Sequence, residues 1–163
     1  MEKVDDKKMM EHVVYEINMY VGTLIRLNRL HSELSKDGND MREELTFQNN
    51  MAFESHMVHL RNLLEFFNYK EEEKKAHDDD IWYTDFFEKD SLKKEEVDNL
   101  KEVIFPIIHK TISHLSKERI KDDAKEKQIK IINDVSPRMI ETIERFNELV
   151  IKKYSRSVWK WHI

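Results

Sequence analysis

The segment NNMAFESHMVHLRNLLEFF, from Asn49 to Phe67, decides the fold that this sequence predicts. Wound as an α-helix at about 100° per residue, it places its apolar side chains and two histidines on one broad face, with Glu54 and Arg61 opposite. His56 and His59 are therefore expected in a core, where a polar ring without a partner costs about 1–3 kcal/mol. The whole predicted buried face consists of Ala52, Phe53, His56, Met57, His59, Leu60, Leu63, Leu64, Phe66 and Phe67.

The composition favours a single all-α domain over residues 1–163. Only two glycines and two prolines accompany 37% charged residues, which suits long helices with solvated faces. The chain has no cysteine, so disulfides and thiolate metal sites are excluded. A net charge of −5 argues against a general nucleic-acid coat. No apolar run approaches the roughly 18 residues that a membrane span needs, so we expect a cytoplasmic protein with no membrane partner.

Two helices are predicted to form an antiparallel hairpin in the first part of the chain. The first covers about 6–35, and the second, which contains the opening segment, ends near Tyr69. Between them Gly38 is expected to stop the first helix, and Asn39 or Asp40 to cap the second. The predicted buried stripe of the first helix is Met10, Val13, Val14, Ile17, Val21, Leu24, Asn28 and His31.

A long connection, residues 70–91, separates the second predicted helix from the third. Its acidic first half, KEEEKKAHDDD, is typical of a solvated segment, and its second half contains Trp82, Phe86 and Phe87. Because large aromatic side chains are normally kept from water, we expect these three to cover one end of the bundle. The alternative is a binding patch for a protein partner.

Two further helices and a tail complete the prediction. The third helix runs from about Ser91 to Arg119 with a kink or restart at Pro106. The fourth covers about 121–154, and its stripe keeps phase through Pro137, which favours one bent helix. That stripe is Ile132, Val135, Met139, Ile143, Phe146 and Val150.

The tail, residues 156–163, places Trp159 and Trp161 beside Arg156 and Lys160. We expect it to pack on the bundle. The alternative is a cation and aromatic pair that binds phosphate, RNA or a membrane surface.

Together these elements predict an all-α, up-down-up-down four-helix bundle with a long acidic and aromatic connection between helices two and three. Aromatic residues in the connection and the tail exceed what one bundle readily hides, so we also expect a homodimer.

The histidines could bind a metal or form buried hydrogen bonds. Di-iron bundles use inward glutamates and Glu-x-x-His pairs, and this chain has no Glu-x-x-His. By helical phase Glu16 and Glu54 fall off the buried stripes. We therefore predict no metal and no cofactor, with a histidine-only zinc site as an alternative. The preferred interpretation is a buried polar network of Asn28, His31, His56 and His59.

A second group of candidate residues lies in HKTISHLSKER, residues 109–119. His114 falls near the edge of the third helix's stripe, with Lys110 one turn before it and Arg119 five residues after it. A neutral histidine beside a fixed cation suits proton transfer on a phosphodiester without a metal. His114, Lys110 and Arg119 are therefore the candidate catalytic residues.

Three blocks resemble those of a poorly characterised group of small bacterial helical proteins. They are HLRNLLEFF at 59–67, DIWYTDFF at 80–87 and HLSKER at 114–119. The overall plan also resembles the HEPN superfamily, helical bundles that include metal-independent ribonucleases of toxin and phage-defence systems. The signature of that superfamily is an arginine followed by a histidine four to six residues later. Here Arg26 and His31 match, and in a continuous helix they point about 140° apart.

The sequence leaves open whether the protein is an enzyme. The preferred hypothesis is a helical module, with the fold of a degenerate HEPN-like protein, that acts mainly by binding a protein partner through Trp82, Phe86, Phe87, Trp159 and Trp161. The alternatives are a HEPN-like ribonuclease that uses His114, and a bundle that binds metal through histidines.

Overall fold

Three long helices and two single 3₁₀ turns make up the described structure, a computed structural model that covers residues 5–36, 40–68, 80–88, 91–92 and 124–160. No strand occurs in these residues, which confirms the all-α class for the described chain. The helices are α1 (Asp6–Leu34), α2 (Arg42–Phe67) and α3 (Ala124–Tyr154), and the 3₁₀ turns are Tyr83–Asp85 and Val158–Lys160.

The first two helices form the predicted antiparallel hairpin. Thr23 of α1 lies 3.1 Å from His56 of α2, measured from Oγ1 to Nδ1, and Glu16 lies 2.7 Å from His59, from Oε2 to Nδ1. Contacts nearer the start of α1 thus fall nearer the end of α2. The predicted boundaries of both helices are confirmed to within about two residues.

The third described helix, α3, runs parallel to α2. Phe146 packs on Phe66 near the end of α2, with ring centroids 5.4 Å apart, while Ile132 and Phe53 line one pocket near the other end. The helices α1, α2 and α3 therefore have the directions of the first, second and fourth helices of an up-down-up-down bundle. The third predicted helix lies outside the described residues except for Ser91 and Leu92, as does Pro106, so the four-helix arrangement stays a prediction.

The beginning of α2 differs from the prediction. Its N-cap residue is Met41, which makes no side-chain hydrogen bond to the helix. Asp40 is therefore not the cap, and Asn39 lies outside the described residues. In contrast, α1 begins with Asp5, whose carboxylate accepts a hydrogen bond from the Lys7 backbone N–H at 3.0 Å.

The buried face of α2 is the one that the sequence predicts. Every predicted residue is buried except Ala52, which is half-buried, and Leu45 extends the face toward the start of the helix. Both histidines of this face are inside: His56 is fully buried and His59 is 9% exposed.

The predicted stripe of α1 is correct in its first half and wrong in its second. Met10, Val13, Val14 and Ile17 are buried, but Tyr20, Leu27 and Leu30 then replace the predicted positions. The buried face thus turns along the second half of α1, where Arg26 Nη2 also donates a hydrogen bond to Gln48 Oε1 of α2. The residues that the turn leaves outside the core are Val21 and Leu24, which are half-buried, and Asn28 and His31, which are exposed.

The prediction of one continuous fourth helix is confirmed. α3 passes through Pro137, whose ring is exposed, and its predicted stripe is buried except for half-buried Ile132. The helix ends at Ser155, which has a φ of 53° and donates its N–H to the Ile151 carbonyl at 2.8 Å. A left-handed residue in this position stops a helix and reverses the chain.

The tail packs on the bundle as expected. The Asn147 Oδ1 accepts hydrogen bonds from the Val158 N–H and the Ser157 hydroxyl, each at 2.9 Å. Val158 is fully buried in the core, whereas Trp159 is 44% exposed. Trp161 lies outside the described residues.

The segment 80–88, called the lid below, covers the end of the bundle where α2 finishes. Trp82, Tyr83 and Phe86 are buried, and Phe87 is half-buried with its ring 5.6 Å from that of Phe146. The expectation of a cover is therefore confirmed. Because Trp82 and Phe86 are buried and Phe87 is half-buried, the three side chains do not form an exposed patch in this structure, and their role in binding stays a prediction.

Lys153 of α3 contacts the lid in two ways. Lys153 donates from Nζ to the Phe86 carbonyl at 2.8 Å and lies over the rings of Phe87 and Tyr154, 5.4 and 5.0 Å from their centroids. The lid is thus held by a charge-assisted hydrogen bond as well as by apolar burial.

Candidate functional site

The first of the two inward histidines, His56, is sealed between α1 and α2. Its ring stacks on Tyr20 with centroids 4.6 Å apart, and Nδ1 lies 3.3 Å from the Tyr20 carbonyl and 3.1 Å from the Thr23 hydroxyl. These acceptors fit a neutral ring with its proton on Nδ1. Burial, with a smaller contribution from the neighbouring His59, lowers the pKa of His56 to about 4 against the favourable bond to Tyr20. His56 therefore stays neutral and has no access to solvent.

Tyr20 and Ser136 extend this polar layer toward α3. Burial raises the pKa of Tyr20 to about 12, and the nearby Ser136 hydroxyl opposes that rise. In the described part of the chain, the Tyr20 hydroxyl, the Ser136 hydroxyl and His56 Nε2 are buried with no partner within hydrogen-bonding distance. The layer is enclosed by three helices, so it belongs to the core rather than to a site that a substrate could enter.

The second inward histidine, His59, is held by a carboxylate. Its Nδ1 donates to Glu16 Oε2 at 2.7 Å, and the same oxygen accepts from Asn62 Nδ2 at 3.0 Å. The Tyr15 ring meets the imidazole edge-on at 6.0 Å. Glu16 was predicted to fall off the buried stripes, yet its side chain is only 25% exposed. It is the partner that the buried histidine requires.

Glu16 and Asn62 also form part of the wall of a cleft between α1, α2 and the lid. The cleft has a volume of about 370 Å³. Its floor is apolar, and its polar side chains come from all three elements. The apolar residues are Val13, Leu63, Phe66, Ile81 and Trp82, and the polar ones are His12, Glu16, Asn62, Glu65 and Asp80.

Each of the three elements that line the cleft contributes a carboxylate. Glu16 lies on α1 and Glu65 on α2, where Glu65 also accepts from Arg61 Nε at 3.1 Å. Asp80 stands exposed at the start of the lid. Three carboxylates around an apolar floor attract a cation that brings aliphatic surface with it.

The same geometry gives little support to catalysis at this cleft. Glu16 orients His59, as a carboxylate orients a general base, but the described lining contains no serine, threonine or cysteine side chain. Among the described residues, no group of three His, Cys, Asp or Glu side chains could hold a metal ion. This cleft is the candidate functional site of the described residues.

None of the other described residues that were predicted for a buried network or for catalysis is found in this cleft. Asn28 and His31, expected in the buried network, are exposed and line a separate pocket of about 150 Å³ with Phe53 and Ile132. The predicted network thus reduces to His56 and His59, each with different partners. The three candidate catalytic residues lie outside the described residues: Lys110, His114 and Arg119.

The cleft contains residues that sequence reasoning did not single out: His12, Glu16, Asn62, Glu65 and Asp80. One signal for Glu16 was present in the sequence. If two helices pair antiparallel about Gly38, Glu16 lies level with residues near 60, where His59 lacked a partner.

Comparison of the chain with protein-family models, curated proteins and solved structures gives no match. Within the described ranges, none of the helices combines the length and apolar composition required to cross a membrane.

Proposed function

We propose that this protein is a helical module that acts by binding a protein partner, and that the cleft between α1, α2 and the lid receives a lysine or arginine side chain of that partner. The observation that supports the proposal is the arrangement of Glu16, Glu65 and Asp80 around an apolar floor. The protein-binding role follows the preferred interpretation of the sequence, but the proposed surface is the cleft, which includes only Trp82 of the five aromatic residues suggested for binding.

The chemistry of the cleft fits a long basic side chain. Lysine and arginine carry an aliphatic stem that packs on apolar surface while the charged head reaches polar groups. Here Trp82 and Ile81 offer the surface, and Asp80 and Glu65 offer carboxylates. The volume of about 370 Å³ is at the small end of ligand pockets and suits one such side chain with an apolar neighbour.

The Glu16 carboxylate is preorganised to bind a basic side chain. Two donors, His59 and Asn62, hold Oε2, so the side chain loses little freedom when a cation approaches. Preorganisation of this kind lowers the entropy cost of binding. Binding should also weaken as salt rises, because screening acts on the exposed carboxylates.

The resemblance to HEPN bundles extends this proposal. In that view the protein is a degenerate HEPN-like member of a bacterial toxin or phage-defence system, cytoplasmic, with binding in place of cleavage. A ribonuclease that uses His114 is the alternative. It predicts RNA cleavage that is lost in His114→Ala at an unchanged melting temperature.

Selection from a random peptide library displayed on phage tests the binding proposal. We expect the wild-type protein to enrich peptides with lysine or arginine beside an aliphatic residue. Asp80→Lys should weaken the selected peptides about tenfold or more in fluorescence anisotropy, because it places a cation at the mouth of the cleft. Glu88→Lys is the matched control, since Glu88 is an exposed carboxylate of the lid that does not line the cleft.

Replacing the basic residue of a selected peptide by norleucine should weaken binding by a similar factor. The proposal is wrong if no peptide is enriched, if the enriched peptides lack a basic residue, or if Asp80→Lys and Glu88→Lys bind them equally.

A further inference from the structure

The outward face of α2 exposes three large apolar side chains. Phe47 is 62% exposed, Met51 57% and Val58 45%. All three point away from the core face of the same helix, which contains Leu60 and Leu64. The solvent-facing side of a surface helix is normally polar or charged, so three large apolar side chains on this side of the 26-residue α2 are unusual.

These side chains belong to a regular seam. Positions 44, 47, 51, 54, 58 and 61 are separated alternately by three and four residues, and all are exposed. That alternation is the heptad spacing by which one helix packs against another in a coiled coil. The seam reads Glu44, Phe47, Met51, Glu54, Val58 and Arg61.

The seam is complementary to itself in one antiparallel register. The seam positions alternate between the a and d positions of the heptad: 44, 51 and 58 are of one kind, and 47, 54 and 61 are of the other. In an antiparallel coiled coil, an a position of one helix lies opposite a d position of the other. Across a two-fold axis, Phe47 then faces Val58 of the partner subunit, and Glu44 faces Arg61 of the partner subunit. Each of these pairs occurs twice, so in the outer layers apolar residues meet apolar ones and opposite charges meet. The two layers next to the axis each pair Met51 with Glu54 of the partner subunit.

Neighbouring registers lose this match. In one of them Glu44 lies opposite Glu54 of the partner subunit. In the other, Glu54 lies opposite Val58 of the partner subunit and Met51 lies opposite Arg61 of the partner subunit. Like charges directly opposed across a helix pair disfavour the first of these registers. The charges of the seam therefore select one partner orientation, and that partner is a second copy of this chain.

We propose that the protein forms a homodimer through this seam, with the two α2 helices antiparallel and Met51 beside Glu54 of the partner subunit near the axis. The seam involves only six positions on each helix, so the interface is small. Interfaces below about 1,200 Å² belong to weak, reversible complexes. The dimer surface is separate from the cleft, and the proposal does not depend on the function proposed there.

Sedimentation equilibrium over a range of protein concentrations tests the proposal. We expect a reversible monomer–dimer equilibrium in the wild type. Phe47→Lys should raise the dissociation constant about tenfold or more, because it places a cation opposite the apolar Val58 of the partner subunit. Ile25→Lys is the matched control: Ile25 is also exposed, at 48%, but lies on α1 outside the seam. A monomer at every concentration, or a dimer that both variants form equally well, would overturn the proposal.

Charge reversal tests the register. Glu44→Arg and Arg61→Glu should each weaken the dimer, and the double variant should restore it, because the pairs reform with opposite sign. The chain has no cysteine, so a Phe47→Cys/Val58→Cys variant should form a disulfide-linked dimer under mild oxidation. A dimer in which the double charge variant is no tighter than the two single variants, and no cross-link forms, would contradict this orientation. Unchanged circular dichroism and melting temperature show that each variant is folded.

Discussion

Protonation of His56 should destabilise the protein, because its ring is fully buried and held in the neutral form. Its pKa is lowered from 6.5 to about 4, mainly by burial. Above pH 6.5 the ring is neutral in both the folded and the unfolded chain. Between pH 6.5 and about 4 the unfolded chain binds a proton that the folded chain does not, so the free energy of unfolding falls as the pH falls.

The size of this effect follows from the interval between the two pKa values. At 1.36 kcal/mol for each pKa unit, the contribution of His56 is about 3 kcal/mol. It is present in full above pH 6.5 and is lost as the pH falls to about 4. The steepest slope is about 1.4 kcal/mol per pH unit.

Urea unfolding followed by circular dichroism at several pH values between 4.5 and 7.5 measures this contribution. His56→Leu removes the titrating ring and fills most of its volume. We expect the variant to lack about 2.5 kcal/mol of the fall that the wild type shows over this range, because the range ends above the folded-state pKa. His31→Gln is the control, because His31 is exposed and its replacement should leave the slope unchanged.

The quantity to compare is the change with pH, since His56→Leu also alters stability by a constant amount. If the wild type and His56→Leu lose free energy equally between pH 6.5 and 4.5, the ring protonates normally in the folded state and the sealed site is wrong. The C2 proton of His56 gives a direct check by NMR, because its chemical shift should not titrate above about pH 5.

Three further substitutions test single contacts. Glu16→Gln removes the charge that holds His59 and should lower the free energy of unfolding by about 1–2 kcal/mol, measured in urea; no loss would mean that the contact is unimportant. Lys153→Met removes the donor to the Phe86 carbonyl, so hydrogen exchange in segment 80–88 should become faster, while an unchanged rate would show that apolar burial alone holds the lid. Ser155→Gly relieves the left-handed backbone and should raise the free energy of unfolding by about 0.5–1 kcal/mol, seen as a higher melting temperature; a lower one would contradict the strain.

Helix periodicity predicted α2 almost completely because one large core covers this helix along its length. Ten of its residues were assigned to the buried face, and nine of them are buried while Ala52 is half-buried. The same method failed in the second half of α1. There Leu27 and Leu30 are buried and Asn28 and His31 are not, because the periodicity of a single helix does not fix where its neighbours lie along it.

The cleft could not be predicted from any one helix. Its wall combines residues of α1 and α2 with Asp80 of the lid, and these are separated by up to about 68 positions in the chain. Periodicity describes each helix alone and says nothing about how the lid is placed. The aromatic composition of 81–87 did predict that the lid would pack, since Trp82 and Phe86 are too apolar to stay in water.

The surroundings of His59 were predicted in part from helical periodicity. Helical phase placed its ring in the core, and the free energy of an unpaired polar group required a partner for it. The same phase count assigned Glu16 to the solvent side of α1. The two assignments agree if Glu16 lies at the border between the buried and the exposed side of α1, facing α2. A carboxylate in that position can reach the buried ring of His59 and still contact water. Glu16 occupies that border, at 25% exposure and 2.7 Å from the imidazole. A buried histidine without a partner on its own helix is therefore a reason to examine the border residues of the helix that pairs with it.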